Sequence, residues 1–308
     1  MKSRRDRRAV LGAALASAVV AAGTAAGMAY ALAAPDSAVR PVSSAATSSA
    51  PAAAEGTVQP VVTQPTIDYD ALLADAMAGV PLGDRARVSV AVLDVASGDS
   101  AVYGDGSAFD TASIVKVDIL AALLLQAQDA GRQLTASEKS YATAMIEQSD
   151  NASASALWTA IGEAAGLDAA NARFGLTGTR GGDAGSWGLT QTTAADQLAL
   201  LQQVFGDGSL LSADSQAYVR GLMGQIAAGQ QWGVSAAADA DAWALKNGWL
   251  PRTATGLWDI NSVGRVSAGG REFLVAVLSD GNVSQAEGIS VAEGAARAAV
   301  SVFDGTAG

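Results

Sequence analysis

Ser113-Ile114-Val115-Lys116 opens the run SIVKVDILAALLL, residues 113–125, the most apolar helical pattern in the chain. A helix that is hydrophobic on nearly all sides is a buried helix. Lys116 therefore stands where a charge is costly, three residues from Ser113 and on the same face. Burial disfavours the ammonium form and lowers a lysine's pKa toward usefulness as a base. Ser113 lies at the helix start, where free backbone N–H groups and the dipole favour developing negative charge. A nucleophile, a desolvated base and half an oxyanion hole thus come from four residues. In the alternative reading, Ser113 only caps a helix and Lys116 snorkels outward. S-x-x-K by itself recurs by chance in chains of this length.

Outward from this run, Asp68 to Ala78 reads as a short opening helix. Ala86 to Val95 is a β-branched strand, and the turn Ser97-Gly98-Asp99 leads into a second strand, Ser100 to Tyr103. Residues 113–130, 136–148, 150–164, 193–205 and 212–225 read as helices, the third ending at Gly166. Strands recur at 241–249, 256–267 and 271–279, with Gly269-Gly270 joining the last two, and 284–303 forms a closing helix. Strands at both ends with helices between them predict an antiparallel sheet closed by the two ends of the chain, plus a helical lobe. There is no internal repeat, and no GxGxxG or Walker pattern.

Two further polar clusters interrupt this plan. Ser149-Asp150-Asn151 falls between two helical patterns. Ser, Asp and Asn are preferred N-caps, and Asp150 fits that role. A second hydroxyl near Lys116 could also relay a proton to a leaving amine, and the Asn151 amide could grip a substrate carbonyl. Lys246-Asn247-Gly248 lies within the late strand ending near Trp249. Asn-Gly is a common hairpin turn. On a strand edge, the same residues would set an ammonium near a substrate carboxylate, let substrate approach at Gly248, and offer the Trp249 N–H to an oxyanion.

Composition narrows the chemistry. The 308-residue chain has no His and no Cys. A Ser-His-Asp triad, a Cys-His dyad, a disulfide and the usual zinc sites are all excluded, so any serine nucleophile must use Lys, Asp, Glu or Tyr as base. The net charge is −11. Without positions 1–66 it is −14, from 13 basic and 27 acidic residues, a surface that repels nucleic acid. No metal or other cofactor is implied, and the oligomeric state is open.

The order S-x-x-K at a buried helix start, S-D-N at the next helix junction and K-x-G on a late strand resembles the penicilloyl serine transferase family. That family includes class A β-lactamases and penicillin-binding proteins. The resemblance covers about residues 67–304. It implies an α+β, two-lobed, β-lactamase/transpeptidase-like fold, with a five-stranded antiparallel sheet flanked by helices and a site between sheet and helical lobe. It also implies roles: Ser113 as nucleophile, Lys116 as its base and Ser149 as proton relay. Asn151 would bind the substrate amide, Lys246 and Asn247 its carboxylate, and the N–H groups of Ser113 and Trp249, beside Gly248, would form the oxyanion hole. The substrate would be a small β-lactam or a cell-wall peptide.

The sequence departs from that family in three places. K-N-G replaces K-T-G or K-S-G. The stretch Gly175 to Thr193 holds no Glu to activate a deacylating water; Asp183, followed by Trp187, is its one carboxylate, and Glu163 lies earlier, in a helical pattern. Only 36 positions separate Ser113 from Ser149, which implies a more open cleft. Acylation is therefore expected and slow deacylation with it. A β-lactamase-like hydrolase, a D,D-peptidase-like enzyme and a non-catalytic penicillin- or peptide-binding domain all remain open.

Residues 1–34 read as an export signal or uncleaved signal anchor: the basic MKSRRDRR, then an uncharged stretch from Ala9 to Ala34. Arg7-Arg8 resembles a twin-arginine signal, and Ala31-Leu32-Ala33 offers a cleavage site. Left uncleaved, residues 9–34 would tether the protein to a membrane. Residues 35–66 read as a flexible Ala/Ser/Thr/Pro linker and 67–308 as the catalytic domain. Both readings of the signal place the domain outside the cytoplasm.

Overall fold

The opening helix α1 (Tyr69–Met77) and the β-branched strand β1 (Arg87–Asp94) form where the sequence puts them, and β1 turns through Gly98 into β2 (Ser100–Tyr103). The computed structural model describes residues 67–183 and 185–304; the expected export segment and linker lie outside them. Among the described residues, β5 (Trp243–Arg252), β6 (Leu257–Ala268) and β7 (Arg271–Asn282) complete a five-stranded sheet in the order β2-β1-β7-β6-β5, antiparallel throughout. β1 pairs with β7, so the first and last strands close the sheet, as predicted. Gly269 and Gly270 make the β6–β7 turn with φ of 57° and 77°, a conformation that favours glycine.

Phe273 to Leu278 is buried without alternation, which marks a strand covered on both faces. Helix α8 (Gln285–Ser301) packs on β7, β6 and β1, and helix α6 (Ala194–Phe205) also packs on those strands.

The apolar run forms helix α2 (Val115–Asp129), in which every residue from Val115 to Leu125 is buried. Helices α3 (Ala136–Glu147), α4 (Asn151–Ile161), α5 (Glu163–Phe174) and α7 (Ala213–Met223) pack around it. Ile119, Leu120, Leu123, Leu124 and Leu125 each stabilise by about 1.5–3 kcal/mol on burial. Together they outweigh the several kcal/mol that each buried charge, Lys116 and Asp118, costs. Burial pushes the Asp118 carboxyl up to about 7, against the pull of its hydrogen bond from Gln197.

Two features depart from expectation. The helix expected over 150–164 is α4, which ends at Ile161, and a further helix not expected from the sequence, α5, follows it. Gly162 at φ 93° and Glu163 at φ 57° turn the chain left-handed between them. The predicted terminator, Gly166, instead sits inside α5 against the end of α4, where a Cβ would lie 1.7 Å from the Ile161 carbonyl oxygen. The segment 175–193 also contributes a short strand, β4 (Gln191–Thr192), paired with β3 (Phe109–Asp110) just ahead of Ser113. Strands this short carry no hydrophobic period to read.

The α3–α4 junction sets one wall of the site. Ser149 takes a left-handed φ of 56°, and the Asp150 carboxylate caps α4 by accepting from the Ser153 N–H at 2.7 Å. Asp150→Ala removes this cap, and the melting temperature is expected to fall by roughly 2–4 °C, measurable by calorimetry.

Candidate active site

Ser113 lies on a 3₁₀ turn, Ala112–Ile114, that runs straight into α2, rather than in the first turn of α2 itself. Ala112 and Ile114 are buried while Ser113 is half-exposed, so the turn presents one side chain to the cleft. Ala112 takes φ 47°, costly for a residue with a Cβ and sustained only where neighbours fix it. Those neighbours are identifiable. Asn261, fully buried on β6, donates its amide to the carbonyls of Asp110 (2.8 Å) and Thr111 (3.0 Å), and the Thr111 N–H donates to Thr190. Gly248, paired with Asn261 across β5–β6, lets the turn lie directly on the strand. A Cβ at Gly248 would stand 2.7 Å from the Thr111 oxygen and 2.8 Å from the Ser113 nitrogen. The motif suggests that this glycine admits substrate; what lies against it is the main chain around Ser113.

Lys116 is fully buried and does not snorkel. Its ammonium donates to the Ser149 carbonyl (2.7 Å), the Ser149 hydroxyl (3.0 Å) and the Asn151 Oδ1 (2.8 Å). The Trp187 ring centroid lies 4.9 Å from its nitrogen, and the Trp187 Nε1–H donates to the Ser155 hydroxyl. Lys246, also fully buried, donates to the Ser149 hydroxyl (3.1 Å) and to the Asn247 carbonyl (2.8 Å). The Ser149 oxygen thus accepts from two lysines. Its two lone pairs are engaged, and its one O–H remains to donate.

Burial holds the Lys116 pKa down at about 8, with the nearby Asp150 charge acting the other way. Burial, and then the Lys116 charge, push Lys246 well below the ordinary lysine range. All three Lys116 ammonium hydrogens are engaged, and among the described residues no hydrogen bond joins it to Ser113. A lone pair for the Ser113 proton appears only when Lys116 is neutral and one of these contacts is released.

The remaining predicted residues divide. Asn151 is exposed at the start of α4, with its Oδ1 accepting from Lys116. Asn247 is fully buried, and both its amide hydrogens are engaged by the carbonyls of Gln230 (2.7 Å) and Trp232 (2.9 Å). It secures a neighbouring loop instead of standing open for a carboxylate. Trp249 is half-buried, its ring 6.1 Å from that of Trp232. Asp183 and Glu163 are exposed, and Trp187 occupies the space over Lys116. Asn261, Trp187 and Trp232 were not assigned roles from sequence. Only Asn261 carried a signal, an amide in the middle of a β-branched strand.

Gly248→Ala drives a Cβ into three main-chain atoms of the nucleophile turn. The rate of Ser113 acylation is expected to fall about 100-fold, the scale of a 1 Å misplacement, with a loss of about 1–3 kcal/mol in stability. Stopped-flow acylation and chemical denaturation measure the two effects.

Comparison with known proteins identifies the family and the fold. Residues 128–303 match the model of the β-lactamase enzyme family; Ser149, Asn151 and Lys246 fall inside the match, whereas Ser113 and Lys116 lie before it. A protein named as a lipoprotein, LppW, of Mycobacterium tuberculosis and Mycobacterium bovis is 28% identical over 171 residues, 54% of each chain. The chain spans about half the length of these curated relatives. Among solved structures, PBP-A superposes with a TM-score of 0.66 at 18% identity, covering 76% of this chain and 96% of that one. A β-lactamase from Chitinophaga pinensis gives 0.63 at 20% identity, covering 75% and 97%. The TLA-1 extended-spectrum β-lactamase gives 0.66 at 14%, covering 76% and 98%. With its predicted α+β fold and five-stranded antiparallel sheet in place, the chain belongs to the β-lactamase enzyme family.

Proposed function

We propose that the protein is an exported serine hydrolase that opens a β-lactam or related amide bond through an acyl-enzyme on Ser113. The observation that carries this reading is the convergence of Lys116, Lys246 and Asn151 on the α3–α4 junction, with one Ser149 hydroxyl shared between two buried lysines. Neutral Lys116 takes the Ser113 proton as Oγ bonds to the substrate carbonyl carbon. The N–H groups of Ser113 and Trp249 hold the oxyanion. As the tetrahedral intermediate collapses, the carbon–nitrogen bond breaks. The leaving nitrogen receives its proton from Ser149, which is reprotonated along its hydrogen bonds to Lys116 and Lys246. Asn151 orients the substrate amide.

Deacylation needs an activated water, and the described residues supply no carboxylate over Lys116. The Trp187 indole lies there, while Asp183 and Glu163 face solvent. The adduct is therefore long-lived. The same feature favours a D,D-peptidase-like reading, in which a cell-wall peptide is the acyl donor; release of D-Ala from a peptide, against hydrolysis of a chromogenic cephalosporin, separates the two. A point mutant of PBP-A, a fold neighbour, is known as an acyl-enzyme complex with penicillin G. Export rests on the N-terminal sequence pattern and on the lipoprotein name of the relative. The chain has no cysteine for a lipid thioether, and among the described residues no helix is long and apolar enough to cross a membrane.

Exposure to a penicillin and a cephalosporin, each as free acid and as neutral ester, is expected to add one acyl mass at Ser113, with a half-life of hours. Ser113→Ala should show none, and Trp187→Glu should shorten the half-life at least tenfold. Intact-protein mass spectrometry reads all three, and an adduct that persists in Ser113→Ala refutes the mechanism.

The acylation rate should rise with pH through an apparent pKa near 8, as Lys116 loses its proton. The unfolded chain keeps that proton up to the ordinary value of 10.5, so it binds more protons than the folded protein between pH 8 and 10.5. The destabilisation from burying Lys116 is therefore complete below pH 8 and relieved as pH climbs to 10.5. Acylation rates and denaturation midpoints across pH 6–11 check both signs.

A further inference from the structure

Lys116 faces three oxygens, and only one of them can give a hydrogen back. The Ser149 carbonyl (2.7 Å) and the Asn151 Oδ1 (2.8 Å) are pure acceptors, while the Ser149 hydroxyl (3.0 Å) also receives from Lys246. This set matches the three donors of an ammonium. A neutral amine has two donors and sets its lone pair against one of these oxygens. A fourth partner acts in the same direction. The Trp187 ring lies over the Lys116 nitrogen, 4.9 Å from it at the centroid, and the negative face of an indole attracts a cation far more than an amine.

The ring is held there by its neighbours. Its Nε1–H donates to the Ser155 hydroxyl at 3.1 Å, one helical turn along α4 from Asn151. Its main chain forms a 3₁₀ turn, Trp187–Leu189, in which the Thr190 N–H donates to the Trp187 carbonyl. A Cβ at Gly188 would stand 4.0 Å from the Ala112 Cα, so this turn lies beside the one that carries Ser113. Two charged groups act on Lys116: Asp150 favours the ammonium, and Lys246 repels it. Both belong to the polar motifs. The indole is a separate influence, and its ring face opposes what burial does to the lysine.

We infer that Trp187 is a positioning residue for Lys116: its indole face, pinned by Ser155, holds the lysine as the hydrogen-bonded ammonium and so restrains the attack of Ser113. The consequence for acylation rests on the Ser113 acyl-enzyme reading, whereas the hold on the proton does not.

The chain has four lysines, Lys2, Lys116, Lys139 and Lys246. Isotope labelling at lysine Cε therefore resolves each by NMR in the full-length protein, with Lys116→Gln to identify the Lys116 signal. Its titration midpoint is expected at about 8 in the wild type. Trp187→Leu keeps an apolar cover and removes the ring face, and the midpoint should fall by about one pH unit, the scale of a desolvated cation–π contact. Trp187→Phe, with a weaker ring face, should lie between the two. An unchanged or raised midpoint in either variant overturns the assignment, as does a Trp187→Phe value at or below that of Trp187→Leu. If Trp187→Leu does not fold, Trp187→Phe against the wild type decides. The pH profile of Ser113 acylation by benzylpenicillin, read by intact mass, should shift with the NMR midpoint. Acylation whose profile stays fixed in a variant with a shifted midpoint overturns the restraint on Ser113. Midpoints that shift as expected, with no acyl mass on Ser113 in the wild type, overturn the acyl-enzyme reading and leave the hold of Trp187 on the proton standing.

Discussion

The hydroxyl of Ser149 accepts hydrogen bonds from two buried lysines, and the rest of the site depends on that contact. Burial, and then repulsion from the neighbouring Lys116 ammonium, keep Lys246 well below its usual pKa. Placing them there requires walls that do not give. Lys116 is fixed by α2, whose leucines fill the helical lobe; Lys246 is fixed by β5 at the sheet edge; Ser149 is fixed by a left-handed turn between α3 and α4. One oxygen thus gathers the helical lobe and the sheet, which explains why residues far apart in sequence form one site.

Much of this was legible in the chain. The β-branched run at 86–95 and the apolar run from Ser113 are strong, periodic signals, and the helices and strands they predict form nearly where expected. The end of α4 is ambiguous in sequence because Gly162 and Gly166 are equally good terminators, and only packing shows that Gly166 is the one squeezed inside α5. Lys246-Asn247-Gly248 also read as a turn. It is a strand because ten residues of β5 pair with β6, and Gly248 there leaves room for the turn that carries Ser113.

Side-chain commitments were less legible than side-chain identities. By sequence an Asn247 amide can donate to substrate, but the Gln230 and Trp232 carbonyls that engage it lie outside its motif. Trp187 stands in the sequence only as a neighbour of Asp183, since nothing in the local pattern indicates that an indole folds over a lysine 71 positions earlier. Asn261 is the opposite case. A lone amide in a buried strand must find partners, and its partners are the carbonyls leading into Ser113.

The two-residue ribbon of β3 and β4 ties the approach to Ser113 to the segment that carries Trp187, and the Thr111 N–H to Thr190 carbonyl bond extends the tie. The indole over Lys116 and the turn that carries Ser113 are consequently anchored to one another through main-chain bonds, so the roof of the site and its floor are held in a common register.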